Sequence, residues 1–139
     1  MKTFITSMIV LAMLLLGISI YSNYLNNTIQ SIEKCVEAIN KTACQNEWQK
    51  CEEEVKELVG VWDTNESVLA MFNDHEDVDN IKLAIGELKE SVLHKNYENT
   101  FQALTETKIL LDRIRKNETF TLENILKVAR FDVVSHNML

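Results

Sequence analysis

Proline is absent from the 139 residues, and glycine occurs only three times. Residues that break helices or supply special turns are therefore scarce, which favours an all-helical fold. Histidine and cysteine also number three each, and a transition-metal site needs such ligands to converge. There is no Gly-x-Ser-x-Gly elbow, no phosphate-cradling glycine loop and no Cys-x-x-Cys pair. The chain is therefore expected to be neither an enzyme nor the holder of a cofactor. Positive charge is short as well: 14 Lys and Arg stand against 21 Asp and Glu, a net charge of −7. Nucleic acid needs a basic face, so that partner class is excluded. An acidic body also argues against a domain lying flat on anionic lipid.

What is present is a long uncharged opening. Thr3 to Ile32 contains no charged side chain, and Phe4 to Tyr21 is almost wholly apolar. About 20 apolar residues in a helix cross the roughly 30 Å hydrocarbon core of a bilayer. Only a helix can do so as one segment, because it satisfies its own backbone groups. Residues 1–25 are accordingly expected to form a transmembrane helix, an uncleaved signal-anchor. Lys2 and the α-amino group precede the run, and uncharged Ser22 to Asn27 follow it. Positive charge stays in the cytoplasm, so the expected topology has the N-terminus inside and the body outside. Tyr21 and Tyr24 would sit at the far interface. The rival is a cleaved signal peptide ending near Ile20-Tyr21-Ser22. Against it, the run is longer than a usual signal core, Ala-x-Ala is missing, and Cys35 is too far downstream for a lipoprotein signal.

Beyond the opening, apolar residues recur at helical spacing. Ile29, Ile32, Val36, Ile39 and Ala43 share a stripe. The stripe slips at Asn40-Lys41-Thr42 and resumes as Cys44, Trp48, Cys51, Val55, Leu58, Trp62, Leu69 and Phe72, with Asn65 in one stripe position. The spacing predicts one helix ending near Ile39 and a second over 43–72, packed along a seam. Asn73 to Asp77 punctuates the chain with residues suited to a helix start. Val78, Ile81, Ile85, Leu88 and Val92 then mark a helix over 77–93. Asn96 can cap the next, which carries Tyr97, Phe101, Leu104, Leu111 and Ile114 and closes in Arg113, Arg115 and Lys116. A turn at Asn117-Glu118-Thr119, a short helix over 121–130 and a tail over 131–139 complete the expectation. Loops of about two to five residues make neighbours antiparallel. The predicted fold is all-α: an N-terminal transmembrane helix, then a small up-and-down helical bundle over 26–130.

Several stretches resemble a known group. They are the Trp-bearing helix (Trp48, Trp62), the run Phe72 to Ile81, the pattern Ala103-Leu104-x-x-x-Lys108-x-Leu110-Leu111, and Phe120 to Leu126. Together with the short anchor they resemble an uncharacterised family of small membrane-anchored helical proteins from clostridia-like, spore-forming Gram-positive bacteria. The resemblance implies a domain of unknown function, often encoded beside a multi-spanning protein linked to spore membranes. It transfers no catalytic residues.

Candidate sites are few. Asp74, His75, Glu76, Asp77 and Asp79 form the only dense set of metal-ligand types, with Asp74, His75 and Asp77 the weak metal candidates. Their spacing matches neither a calcium loop nor a zinc helix, and capping of a helix start explains them better. Cys44 and Cys51 lie seven residues apart, about 10.5 Å along a helix, too far for a disulfide. Burial on the seam is expected for both, with Cys35 on the opposite face as the candidate free thiol or inter-chain bridge. Asn-x-Ser/Thr triplets occur at Asn26, Asn40, Asn65 and Asn117, unused in a bacterial host. Trp48, Trp62, Phe72 and His75 are the partner-binding candidates, the tryptophans having core anchoring as their plainer role. The functional expectation is a single-pass accessory protein. Its extracytoplasmic bundle would bind a multi-spanning membrane protein, with a homo-oligomer as an open alternative. A ligand-sensing bundle is the second reading, and a metal-dependent hydrolase the least favoured.

Overall fold

The computed structural model describes residues 2–135, with side chains over 4–118. Four helices account for nearly all of them: α1 Lys2–Cys44, α2 Trp48–Phe72, α3 His75–Leu93 and α4 Tyr97–Ser135. No strand occurs among the described residues. Each helix packs on the next, and α4 returns to pack on α1. The fold is the expected all-α bundle, an up-and-down square of four helices with a long apolar N-terminal helix.

The apolar stripes become the core. Leu25, Ile29, Ile32, Val36 and Ile39 of α1 face Val55, Leu58, Trp62 and Leu69 of α2, Ile81 and Leu88 of α3, and Leu104, Leu111 and Ile114 of α4. The core therefore begins at Leu25, one residue inside the segment 1–25 expected to lie in lipid. Below that level α1 changes character. Phe4 to Ile20 is exposed on every side apart from half-buried Ile18. The segment has a mean hydropathy of 2.3 over its most apolar window, none of it buried.

Three expected boundaries are corrected. The break at Asn40-Lys41-Thr42 does not form, and α1 runs on to Cys44. Thr42 is buried, and its hydroxyl donates back to the carbonyls of Ala38 and Ile39, at 3.0 and 3.1 Å. That bond keeps a weak helix former inside the helix. The turn falls at 45–47, where Asn46 adopts a left-handed φ of 57°. Glu47 N–H then reaches the Thr42 carbonyl at 3.0 Å, the closing bond of a Schellman cap. Lys95 repeats the device at the same end of the bundle, with φ 52° and Asn96 N–H on the Ser91 carbonyl at 2.9 Å. The turn at Asn117 to Thr119 and the separate helix over 121–130 are absent, because α4 continues unbroken to Ser135. The tail over 131–139 is likewise helical to 135, and 136–139, with His136, lie outside the described residues. With no glycine or proline there, the propensity cost of Asn and Thr, roughly 0.7 kcal/mol at most per residue, is too small to break a helix.

Polar contacts fix which helix meets which. Asn65, the polar residue in the α2 stripe, accepts from the hydroxyls of Tyr24 and Thr28 on α1, the latter at 3.3 Å. Lys82 of α3 pairs with Glu66 of α2 at 2.7 Å. Arg113 of α4 pairs with Asp77 of α3 at 3.2 Å. Arg115 of α4 pairs with Glu33 of α1 at 3.0 Å. Each pair has at least one partly exposed partner, and such pairs add little stability, typically about 0–1 kcal/mol each. Their effect is on register, since each binds a different pair of neighbours.

Candidate functional site

The α2–α3 turn sits at the end of the bundle where the apolar half of α1 leaves it. Tyr21 and Phe72 stack there with ring centroids 4.3 Å apart at 36°. Asn73 ties the turn down: its Nδ2 donates to the Tyr21 hydroxyl at 2.7 Å and to the Leu69 carbonyl at 2.8 Å. Asp74 caps α3, its carboxylate accepting from Glu76 N–H at 2.9 Å. Glu76 and Asp77 fill the first turn, where acidic groups complement the helix dipole. Asp77 is buried and spent on α4, accepting from Arg113 at 3.2 Å and from Asn117 Nδ2 at 3.3 Å. His75 is exposed. Asp74, His75 and Asp77 are thus a helix start and an inter-helix clasp. No group of three or more potential metal ligands converges among the described residues.

The structure separates the partner-binding candidates. Phe72 is 62% exposed, next to Met71 at 77%, and His75 lies just across the turn. Trp62 is enclosed in the core at 2% exposure, so it takes the core-anchoring role and cannot offer a surface. Its Nε1 has no hydrogen-bond partner. Trp48 is half-buried at the first residue of α2. It lies about 36 Å along that helix from Phe72 at 1.5 Å per residue. The Phe72 and His75 pair therefore forms one surface at the end where the apolar half of α1 leaves the bundle, and Trp48 belongs to the other end.

The expectations for Cys35 and Cys44 are reversed, while Cys51 is buried as expected. Cys44 is the last residue of α1 and is exposed, its Sγ 3.4 Å from the Tyr97 hydroxyl. Cys35, expected to be the free-standing thiol, is buried in the core, as is Cys51. The slip in the stripe belongs to the turn at 45–47, five residues beyond the expected break, so Cys44 ends α1 and does not open α2. All three thiols are free. Burial pushes the Cys35 and Cys51 thiols above their ordinary range, and nearby glutamates add to the effect.

Sequence reasoning missed a cleft of about 610 Å³ at the same end. Met13, Leu14, Gly17 and Ile18 of α1 line one side, with Tyr21 at its lip. The other side carries Asn73, Asp74 and Asp77 of the turn, and Asn117 and Glu118 of α4. One Glu118 oxygen, Oε1, is buried without a hydrogen-bond partner among the described residues. The cleft unites residues about a hundred positions apart, and no local pattern announces it.

The model of a family described as a domain of unknown function, DUF4363, matches residues 19–125. The match takes in the whole packed core and leaves most of the exposed apolar segment of α1 outside it. No curated protein and no solved structure matches the chain.

Proposed function

The chain belongs to the DUF4363 family, and on that premise we propose that it is a single-pass membrane protein whose bundle docks on another integral membrane protein. The observation that carries this reading is the lower half of α1. About 25 Å of helix over residues 4–20, at 1.5 Å per residue, is mostly apolar and, apart from half-buried Ile18, exposed among the described residues. Water is a poor solvent for such a surface, and hydrocarbon is a good one. Lys2 stands on the cytoplasmic side and the acidic bundle on the outer side. Tyr21 and Phe72 then lie at the interface, where aromatic rings are favoured. Met71, Phe72 and His75 are the docking surface, since they are exposed beside the span, where a neighbouring membrane protein would be met. The resemblance to anchored proteins of clostridia-like spore formers supports a spore-related membrane as the setting.

Membrane fractionation tests the anchor. The chain should stay in the pellet after an alkaline carbonate wash, and protease added outside intact protoplasts should digest the bundle. Recovery in the soluble fraction, or a mature N-terminus near Asn23, would sink the reading. A photo-crosslinking side chain tests docking. Placed at Phe72 it should trap one integral membrane protein, while the same group at exposed Gln49 should trap none. Equal capture from both positions would argue against a docking surface at the turn.

A further inference from the structure

We propose that the cleft beside Tyr21 holds the headgroup of a membrane lipid bearing a primary amine, with its acyl chains lying along α1. The inference rests on α1 being a bilayer span and adds a ligand to it. Met13 and Leu14 form the lower wall, and both belong to the exposed apolar surface. An acyl chain on that surface reaches the cleft without leaving hydrocarbon. Gly17 recesses the wall: a Cβ placed there would meet nothing within 4 Å.

The opposite wall selects the headgroup. Asp77 is neutralised by Arg113, but Glu118 and Asp74 have no ion-pair partner among the described residues. The Glu118 Oε1 is buried and unsatisfied, a costly state for a carboxylate oxygen unless a cationic donor reaches it. An ammonium group supplies both the charge and the N–H. A quaternary choline has charge but no N–H to donate, and an anionic headgroup would be repelled. The Tyr21 hydroxyl accepts from Asn73 and keeps its own proton to donate. That proton suits the phosphate oxygen that adjoins the amine in an ethanolamine headgroup.

The full-length protein, reconstituted in bilayers of equal phosphatidylglycerol, phosphatidylethanolamine and phosphatidylcholine, provides the test. After transfer to mild detergent, native mass spectrometry counts the lipids retained. One phosphatidylethanolamine per chain should remain, favoured roughly tenfold over the other two, as expected for one charge-assisted hydrogen bond. Glu118→Gln should lower that preference about tenfold. Gly17→Leu, which fills the cleft and leaves every carboxylate in place, should do the same, and it carries the test alone if Glu118→Gln does not fold. Equal retention of the three lipids, a preference for phosphatidylglycerol, or indifference to the folded variants would overturn the inference. A chain that stays embedded but shows no headgroup preference refutes the lipid site alone. A chain that never enters the bilayer refutes the anchor and the lipid site together.

Discussion

Trp62 holds a local conflict. Its indole is enclosed by the core while its N–H goes unpaired, so it contributes apolar area and forfeits a hydrogen bond. Trp62→Phe removes the orphan donor at the cost of some volume, and the two effects oppose each other. Its thermal midpoint should shift little, whereas Trp62→Ala should lose about 3–5 kcal/mol by denaturant titration. Lys95 is a second point of strain, since a left-handed φ costs a non-glycine residue roughly 1–2 kcal/mol. Lys95→Gly should recover about 1 kcal/mol, less the extra freedom gained by the unfolded chain. The buried thiols add a pH effect. Unfolded, both ionise near their ordinary value of 9.0; folded, burial holds them neutral to higher pH. A raised folded value means full stability below about pH 9, lost as pH rises through the folded values. Under reducing conditions, the denaturation midpoint should fall as pH rises above about 9. The fall should be smaller in a Cys35→Ala, Cys51→Ala variant; an identical fall would exclude the thiols as its source.

Among elements, what local pattern encodes was legible and what distant contact decides was not. The stripes Ile29 to Ile39, Val55 to Leu69 and Val78 to Val92 were read correctly, because burial follows the 3.6-residue period directly. Asn96 was read as a cap, and its side chain does accept from Asn99 N–H at 3.1 Å. The first turn falls later than expected because Thr42 satisfies its hydroxyl inside α1, while Asn46 four residues on tolerates the left-handed conformation. The basic end of α4 was read as a helix terminus. In the structure Arg113 and Arg115 reach across to Asp77 and Glu33, so those charges clasp helices rather than complete a dipole. Asp77→Ala should therefore weaken the α3–α4 contact, costing about 1–2 kcal/mol and raising amide exchange near Arg113 first. Exchange that rises uniformly along α4 would argue against a local clasp. At the candidate site, Phe72 and His75 were legible because they flank a turn. The cleft was not, since it forms only when α1 and α4 close the square.

The square itself depends on α1, whose upper half contributes a full column of the core and whose lower half lies outside it. Between Ile18 and Cys44 that helix has neither glycine nor proline and no break in its backbone. On the proposed reading, in which the lower half of α1 spans a bilayer, the span and the core helix are one continuous strut with no joint at the water boundary. Any change in the inclination of the lower half, whether from bilayer thickness or from a neighbour, must swing the whole acidic body through the same angle. Over roughly 35 Å of α1 from Tyr21 to Cys44 at 1.5 Å per residue, a tilt of a few degrees displaces the far turns, with Cys44 and Lys95, by a few ångströms. With the lower half in a bilayer as proposed, the far tip would be a mechanical pointer to events within the membrane.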